Sequence, residues 1–285
     1  MRRLKIKHTT LYEYSNSVRL QTHKLLLRPR EGHDIRIESS QLTINPACTI
    51  KWHRDVYDNS VAIATFNMLV NILSIVSEVI IINYEDRPLD FLVADYAVNF
   101  PFRYDPQEQV DLGPYLLSTY PEDHALLGNW LRQFWQPDQV IETYILLDTI
   151  NKTLARDFFY AMREEPGVQR PAATLAMKTG SCRDYATLFI EACRYLGLAA
   201  RFVSGYLHSP TTVQGYGSTH AWAEVYLPGA GWRGFDPTGG QVVGNGHIAV
   251  AVSRHPESIP PVSGAFVATT PQSPLLKVTV QVAEL

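Results

Sequence analysis

Apolar and polar residues alternate over the first fourteen positions of the chain, and this period-two pattern is typical of a half-buried β-strand. Shorter runs of strand-forming residues follow at 35–37, 50–52, 61–65 and 78–84. Turn-forming residues such as Asp58-Asn59 separate them. The pattern predicts an antiparallel, β-sandwich-like domain over residues 1–105. The residues of one parity in the first run are Leu4, Ile6, His8, Thr10, Tyr12 and Tyr14.

The spacing of apolar residues becomes helical in the second part of the chain. Proline and glycine residues between 101 and 121 predict a linker, which we place at 106–122. Residues 123–250 are predicted to form the core of an α+β fold. Residues 251–285 are predicted as a loop and a C-terminal strand that packs back on the protein. The predicted core elements are helical stripes within 127–135 and 140–154, a helix from Ser181 to Gly197, and strands at Ala200–Leu207 and Ala221–Tyr226.

Composition and charge argue against several classes of protein. The chain has 25 Lys and Arg residues and 28 Asp and Glu residues, which give a net charge of −3. It therefore lacks the large positive excess of a protein that coats nucleic acid. The most apolar stretch, residues 68–84, is interrupted by polar residues and is no membrane span, which needs about 20 apolar residues. No apolar segment follows the basic N-terminal residues, so no signal peptide is expected. We predict a cytoplasmic protein that binds neither nucleic acid nor membrane.

The three cysteines, Cys48, Cys182 and Cys193, are too few and too scattered for a disulfide framework or a zinc site. We therefore expect free thiols in a reducing compartment. The histidines do not indicate a ligand cluster, so no metal is expected. Cys193 lies on the apolar stripe of the third helix, which favours a core position. Cys48 receives no role.

Cys182 stands at the start of that helix. Ser181 and Asp184 form an S-x-x-D capping pattern, which makes Ser181 the N-cap and Cys182 the first helical residue. The free backbone N–H groups and the helix dipole favour an anion at this point. The thiolate is the nucleophilic form of cysteine. Cys182 is therefore the candidate nucleophile.

A thiol nucleophile needs a base, and the base needs a group that fixes its tautomer. His220 begins a strand-like run 38 residues after Cys182. Asp236 follows 16 residues later, beyond a turn at 228–232. Two adjacent antiparallel strands joined by that turn would place His220 and Asp236 side by side. We predict that Cys182, His220 and Asp236 form the catalytic residues.

Three segments resemble the signature boxes of the transglutaminase-like superfamily: GSCRDYA at 180–186, THAWAEV at 219–225 and GFDPT at 234–238. The segment IKHTTLYEY at 6–14 is similar to the β domain that precedes the core in bacterial transglutaminase-like cysteine peptidases. The resemblance implies a papain-like core, with the nucleophile at a helix N-terminus and the base and acid on an antiparallel sheet. It also implies a peptide or protein amide as substrate, and no cofactor. Animal transglutaminases use calcium, but no D-x-D-x-D-G loop occurs here, so no metal is expected.

The resemblance also suggests secondary roles. The backbone N–H of Cys182 is expected to contribute to an oxyanion hole. Tyr160 resembles an element upstream of the nucleophile, and it is either a second oxyanion donor or a buried structural tyrosine. Arg183 and Asp184 are expected to support the start of the helix rather than to react.

These features favour an acyl-transfer enzyme that forms a thioester on cysteine and then hydrolyses it. The segments Pro210–Thr219 and Pro228–Gly234 contain no Asp or Glu. Glu224 shares the face of His220 only if its strand is regular. No site for a lysine ammonium group is therefore evident, which favours hydrolysis over transamidation. Protein-glutamine transamidation and a non-catalytic binding module are the alternatives, and the sequence does not indicate an oligomeric state.

Overall fold

The computed structural model describes residues 1–163, 165–208 and 218–285. Its strands are β1 (Arg2–Leu20), β2 (His23–Leu25), β3 (Ile35–Asn45), β4 (Thr49–Arg54), β5 (Ser60–Thr65), β6 (Leu69–Asn83), β7 (Asn99–Phe100), β8 (Ile141–Glu142), β9 (Phe159–Tyr160), β10 (Thr179–Gly180), β11 (Ala200–Leu207), β12 (Ser218–Leu227), β13 (Gly231–Asp236), β14 (Gln241–Val242), β15 (His247–Ser253), β16 (Val262–Ser263), β17 (Phe266–Val267) and β18 (Leu275–Glu284). Its α-helices are α1 (Pro106–Leu116), α2 (His124–Leu131), α3 (Thr143–Asp157), α4 (Pro171–Met177) and α5 (Cys182–Tyr195). Short 3₁₀ turns lie at Asp95–Ala97, Pro121–Asp123 and Pro256–Ser258. None of the helices in these ranges is long and apolar enough to cross a membrane.

The N-terminal strands form two antiparallel sheets, which confirms the predicted fold class. One sheet has the order β17-β1-β6-β3, with β18 also paired to β1, and the other has the order β16-β2-β5-β4. Leu4, Ile6, His8 and Thr10 are buried on one face of β1, as their alternation predicts. β18 pairs with β1 along its length, so the C-terminal strand completes the N-terminal sheet.

The segment 106–122, predicted as a linker, contains helix α1. Asp105 caps this helix by accepting a hydrogen bond from the Gln107 N–H at 2.9 Å. Pro106 occupies the first turn, where its missing N–H costs nothing. Leu112 then packs with Tyr104 next to the core sheet. Prolines and glycines in such a segment indicate a linker, but a proline in the first turn favours the start of a helix, and here a helix forms.

The core sheet has the order β14-β13-β12-β11-β15 and is antiparallel throughout. Helix α5 packs against one face of it, with Phe189 and Cys193 buried in the same cluster as Ala221, Ala223 and Val225 of β12. The two alanines let the helix approach the strand closely. Cys193 is fully buried, as predicted. This packing fixes the N-terminus of α5 relative to the strands that carry His220 and Asp236.

Candidate active site

A capping interaction fixes the first turn of α5. The backbone N–H and the hydroxyl of Ser181 both donate to Asp184 Oδ2, each at 2.8 Å. Ser181 is therefore the N-cap and Cys182 the first helical residue, as the S-x-x-D pattern predicts. Cys182 is partly exposed. Its sulfur lies where the free N–H groups of a helix start favour negative charge.

Asp184 links the helix start to the loop before it. Its Oδ1 accepts hydrogen bonds from Arg163 Nη1 at 2.9 Å and from the Gln169 N–H at 2.7 Å. Burial would raise the pKa of Asp184, but hydrogen bonds from Gln169 and Ser181 outweigh burial and lower it. Arg183 donates to the carbonyl of Arg163 at 3.3 Å. Both residues support the helix start, as expected, and neither points to a role in the chemistry.

The hairpin of β12 and β13 brings His220 and Asp236 together. Ala223 pairs with Phe235, so Asp236 lies one position further along, on the face of the sheet that carries His220. His220 Nε2 is 2.8 Å from Asp236 Oδ2, and both residues are buried. The spacing of 16 residues therefore places His220 and Asp236 side by side on adjacent antiparallel strands, as predicted.

Cys182 lies close enough to His220 to raise the pKa of its imidazole. Because Nε2 faces Asp236, Nδ1 is the ring nitrogen left for the thiol. Burial lowers the pKa of His220, but the hydrogen bonds to Asp236 and Cys182 and the negative charges of these groups raise it further, to about 10. His220 is accordingly an imidazolium at neutral pH. The structure thus brings the three predicted residues into one neighbourhood, with His220 between Cys182 and Asp236.

Asp236 is held at both of its oxygens. Oδ1 accepts from the backbone N–H of Thr238 at 3.0 Å and of Gly239 at 3.4 Å. Oδ2 faces His220 and a second histidine, His247, whose Nε2 lies 3.1 Å away. Burial would raise the pKa of Asp236, but hydrogen bonds from the two histidines lower it well below the usual range. The carboxylate is therefore ionised although it is buried.

Sequence reasoning missed His247. This residue begins β15, which pairs with β11 on the side opposite β12. The local sequence pattern at 247–253 is not among the predicted strands. The available signal was the apolar run 247–253, which has the length and composition of a buried strand. Its pairing partner could not be read from local sequence, so nothing connected His247 to Asp236.

Trp222 lies next to both histidines, and Gly205 leaves the space that its ring occupies. This β11 residue pairs with His220, and a Cβ on it would lie 2.6 Å from the Trp222 ring. The indole of Trp222 therefore lies over the bare backbone of Gly205. It reaches within 6.3 Å of the His220 ring and 5.3 Å of the His247 ring, measured between centroids. Trp222 is fully buried and packs beside both histidine rings.

His220, Asp236 and His247 are also a donor set of the kind that holds metals, with ligand atoms within 4.8 Å of one another. This grouping was not expected from the sequence. The separations of 2.8 and 3.1 Å from Asp236 Oδ2 are those of hydrogen bonds to imidazole N–H groups. We therefore interpret the cluster as a proton-bearing network around one carboxylate.

Tyr160 lies beside the nucleophile. It pairs with Gly180 in the parallel β9–β10 ladder, so it stands next to the turn that leads into Cys182. Burial and the charge of Cys182 both raise the pKa of Tyr160, which places its hydroxyl in the electrostatic range of the sulfur. Tyr160 is 46% exposed and its ring packs edge to face on Tyr185, so the residue is only partly buried.

Family models match two separate segments of the chain. The model of the transglutaminase-like superfamily matches residues 140–237, and the model of the bacterial transglutaminase-like N-terminal region matches residues 4–82. The chain thus carries a transglutaminase-like core, preceded by a bacterial transglutaminase-like N-terminal region. The core match includes Cys182, His220 and Asp236, and it ends before His247.

Individual relatives of this transglutaminase-like protein are distant. Uncharacterized proteins of Mycobacterium tuberculosis and Mycobacterium bovis are each 27% identical, covering 98% of this chain and 92% of their own length. An uncharacterized Mycobacterium leprae protein is 33% identical over 93 residues, which cover 30% of this chain and 32% of its own. The crystal structure of a candidate cysteine protease from Cytophaga hutchinsonii aligns with a TM-score of 0.74 at 18% identity, covering 100% of this chain and 91% of that one. This similarity shows a shared fold.

The environments of the three cysteines of the transglutaminase-like protein predict different reactivities. Burial raises the pKa of Cys193, which is inaccessible, and it also raises the pKa of Cys48. Only Cys182 combines partial exposure with a helix N-terminus and an imidazolium neighbour. We expect limiting iodoacetamide at neutral pH to label Cys182 at least about tenfold faster than either other cysteine, as peptide mapping would show. Equal labelling of all three would contradict this reading of the site.

Proposed function

We propose that this protein is an enzyme that transfers acyl groups through a thioester on Cys182, acting on peptide or side-chain amides, with water as the usual acceptor. The observation that carries the proposal is the position of His220. One ring nitrogen faces Asp236 at 2.8 Å, and Cys182 at the start of α5 lies close enough to raise the pKa of the ring. A nucleophile, a base and a group that orients the base are the parts that such chemistry requires.

In the first half-reaction, the Cys182 thiolate attacks the amide carbonyl carbon, and the electron pair of the C=O bond moves to the oxygen. The resulting tetrahedral oxyanion collapses, and the C–N bond breaks. The His220 imidazolium gives its proton to the departing nitrogen, which leaves as an amine or as ammonia. A thioester on Cys182 and a neutral His220 remain. Asp236 holds the His220 ring in place throughout.

In the second half-reaction, neutral His220 removes a proton from water. The hydroxide attacks the thioester carbonyl, a second oxyanion forms, and the C–S bond breaks. The products are a carboxylic acid and the Cys182 thiolate, which again faces an imidazolium. The enzyme thus returns to its starting protonation state.

Two groups are the candidates for donors to the oxyanion. The Cys182 N–H belongs to the first turn of α5 and has no partner within the helix. Tyr160 stands on the strand that pairs with β10, and the charge of Cys182 raises the pKa of its hydroxyl. We assign the Cys182 N–H as the first donor and Tyr160 as the second.

The surroundings of His220 support hydrolysis over transamidation. Glu224 lies on the regular strand β12, four residues from His220, which is about 13 Å along a strand. Its carboxylate forms a salt bridge with Arg201 at 2.7 Å, and both side chains are largely buried. Glu224 is therefore not free to bind a substrate ammonium group. The acid-free segment Pro210–Thr219 falls mostly outside the described residues, since 209–217 are not part of them.

Water at about 55 M outcompetes an amine that is not held beside the thioester. We therefore expect glutamine-containing peptides, incubated with the enzyme and a labelled primary amine at millimolar concentration, to give mainly hydrolysed product. Mass spectrometry distinguishes deamidated or cleaved peptides from amine adducts, and the Cys182→Ala variant measures the uncatalysed background. Amine adducts in excess of hydrolysis would reassign the enzyme as a transamidase. Binding of peptides that remain intact, without any turnover, would instead indicate a binding module.

The compartment and partners belong to the same proposal. Free thiols at Cys48, Cys182 and Cys193 are suited to a reducing environment, and we propose the cytoplasm. The near-neutral charge balance supports a peptide or protein amide as partner rather than nucleic acid.

A further inference from the structure

His247 is a buried histidine for which the reaction scheme above has no use. It is 6% exposed at the start of β15, and its Nε2 lies 3.1 Å from Asp236 Oδ2. The same oxygen faces His220 Nε2 at 2.8 Å. One carboxylate oxygen is therefore shared between the base and a second imidazole that reaches it from another strand.

The contacts of the other ring nitrogen fix the proton on His247. The Gly244 N–H points at His247 Nδ1 at 3.4 Å, so Nδ1 is the acceptor. In the neutral ring, the proton is then on Nε2, which donates to Asp236. Together with the N–H groups of Thr238 and Gly239 on Oδ1, this contact leaves the Asp236 carboxylate no freedom to rotate.

We propose that His247 is a positioning residue that holds Asp236 in place and ionised, and that it acts on Cys182 only through Asp236 and His220. Its catalytic consequence rests on the proposed function. When His220 has given its proton to the leaving group, Asp236 is a buried anion beside a neutral ring. The His247 N–H then remains as a donor that stabilises this charge. The titratable groups that face Asp236 among the described residues are His220 on β12 and His247 on β15, with Cys182 of α5 beyond His220.

The test compares His247→Phe, which keeps a flat ring but removes the donor, with His247→Gln, whose side-chain N–H reaches the position of Nε2. The readout is the rate at which iodoacetamide alkylates Cys182 as a function of pH, which requires no amide substrate. We expect His247→Phe to slow alkylation at pH 6 by about 10- to 100-fold, the range for losing a hydrogen bond to a charged group. The pH profile should shift towards that of an ordinary thiol, near about 8.5. His247→Gln should restore most of the rate.

His23→Phe is the matched control, because His23 is also buried, and its side chain hydrogen-bonds the Gln21 carbonyl in the N-terminal sheets rather than Asp236. It should leave the pH profile unchanged. If His247→Phe does not fold, His247→Asn replaces it, because its shorter side chain does not reach Asp236. The inference would be overturned if the variant without the donor gave the wild-type pH profile of Cys182 alkylation. It would also be overturned if that variant and His247→Gln were slowed equally. The proposed function would stand in both cases. If wild-type Cys182 itself reacted no faster than Cys48, both would fail.

Discussion

His220→Ala is expected to abolish turnover of amide substrates, with a loss of about 10³-fold or more in kcat and an unchanged fold. The variant removes both the imidazolium that stabilises the Cys182 thiolate and the acid that protonates the leaving nitrogen. Steady-state kinetics against any peptide that the wild type processes would measure the loss, and circular dichroism would check the fold. Replacing the exposed His53 by alanine is the control, and it should leave kcat unchanged. Wild-type rates in the His220 variant would refute the assigned base.

Asp236→Asn should also impair the enzyme, and it should change the pH dependence in a defined direction. The corresponding change in a serine triad costs about 10⁴-fold in kcat, and we expect about 10²-fold here because the thiolate–imidazolium pair forms before substrate binds. The carboxylate favours the charged form of His220, whose pKa is raised to about 10. Without it the pKa of His220 falls, so the alkaline limb of the pH–rate profile should move towards neutral pH. An unmoved limb would show that Asp236 does not set the charge of His220.

Arg194→Leu is expected to lower the free energy of unfolding by about 3–5 kcal/mol. Arg194 forms a salt bridge with Glu191 at 2.7 Å, with both side chains 1% exposed. Its guanidinium also donates to the carbonyls of Tyr115, Ala200 and Arg254, at 3.1, 3.0 and 2.7 Å. Leucine would leave a buried carboxylate without its cation and three carbonyls without a donor. These contacts join α5 to α1 and to the core sheet.

Urea denaturation of the Arg194 variant measures this loss. Arg156→Leu is the control, because Arg156 pairs with Asp157 on the surface of α3, where its side chain is 70% exposed. The control should unfold close to the wild-type midpoint. If the two variants lost stability equally, the buried network would not be what anchors α5.

The parts of the site that were predicted correctly depend on short-range sequence. The position of Cys182 follows from a capping pattern that spans Ser181 to Asp184, and its hydrogen bonds form within one turn. The contact of His220 with Asp236 follows from a hairpin whose register is set by a short turn. Local sequence therefore determines which side chains lie at the helix start and which face one another across the hairpin.

What was missed depends on long-range pairing. His247 reaches Asp236 only because β15 pairs with β11, and no local pattern specifies that neighbour. Helix α1 was missed because Pro106 is a breaker in most contexts but a favourable residue in a first turn. The position of Tyr160 depends on the parallel ladder between β9 and β10, which is only two residue pairs long. Such short parallel contacts leave no periodic signal in the sequence.

The central claim is that amide substrates acylate Cys182. The most direct measurement is acid-quenched mass spectrometry of the enzyme after brief exposure to a peptide library. The account predicts a mass increase equal to an acyl fragment on the peptide that contains Cys182, none on those with Cys48 or Cys193, and none in the His220→Ala variant. Cleavage or deamidation of library peptides with no adduct on Cys182, or with an adduct on another cysteine, would contradict it.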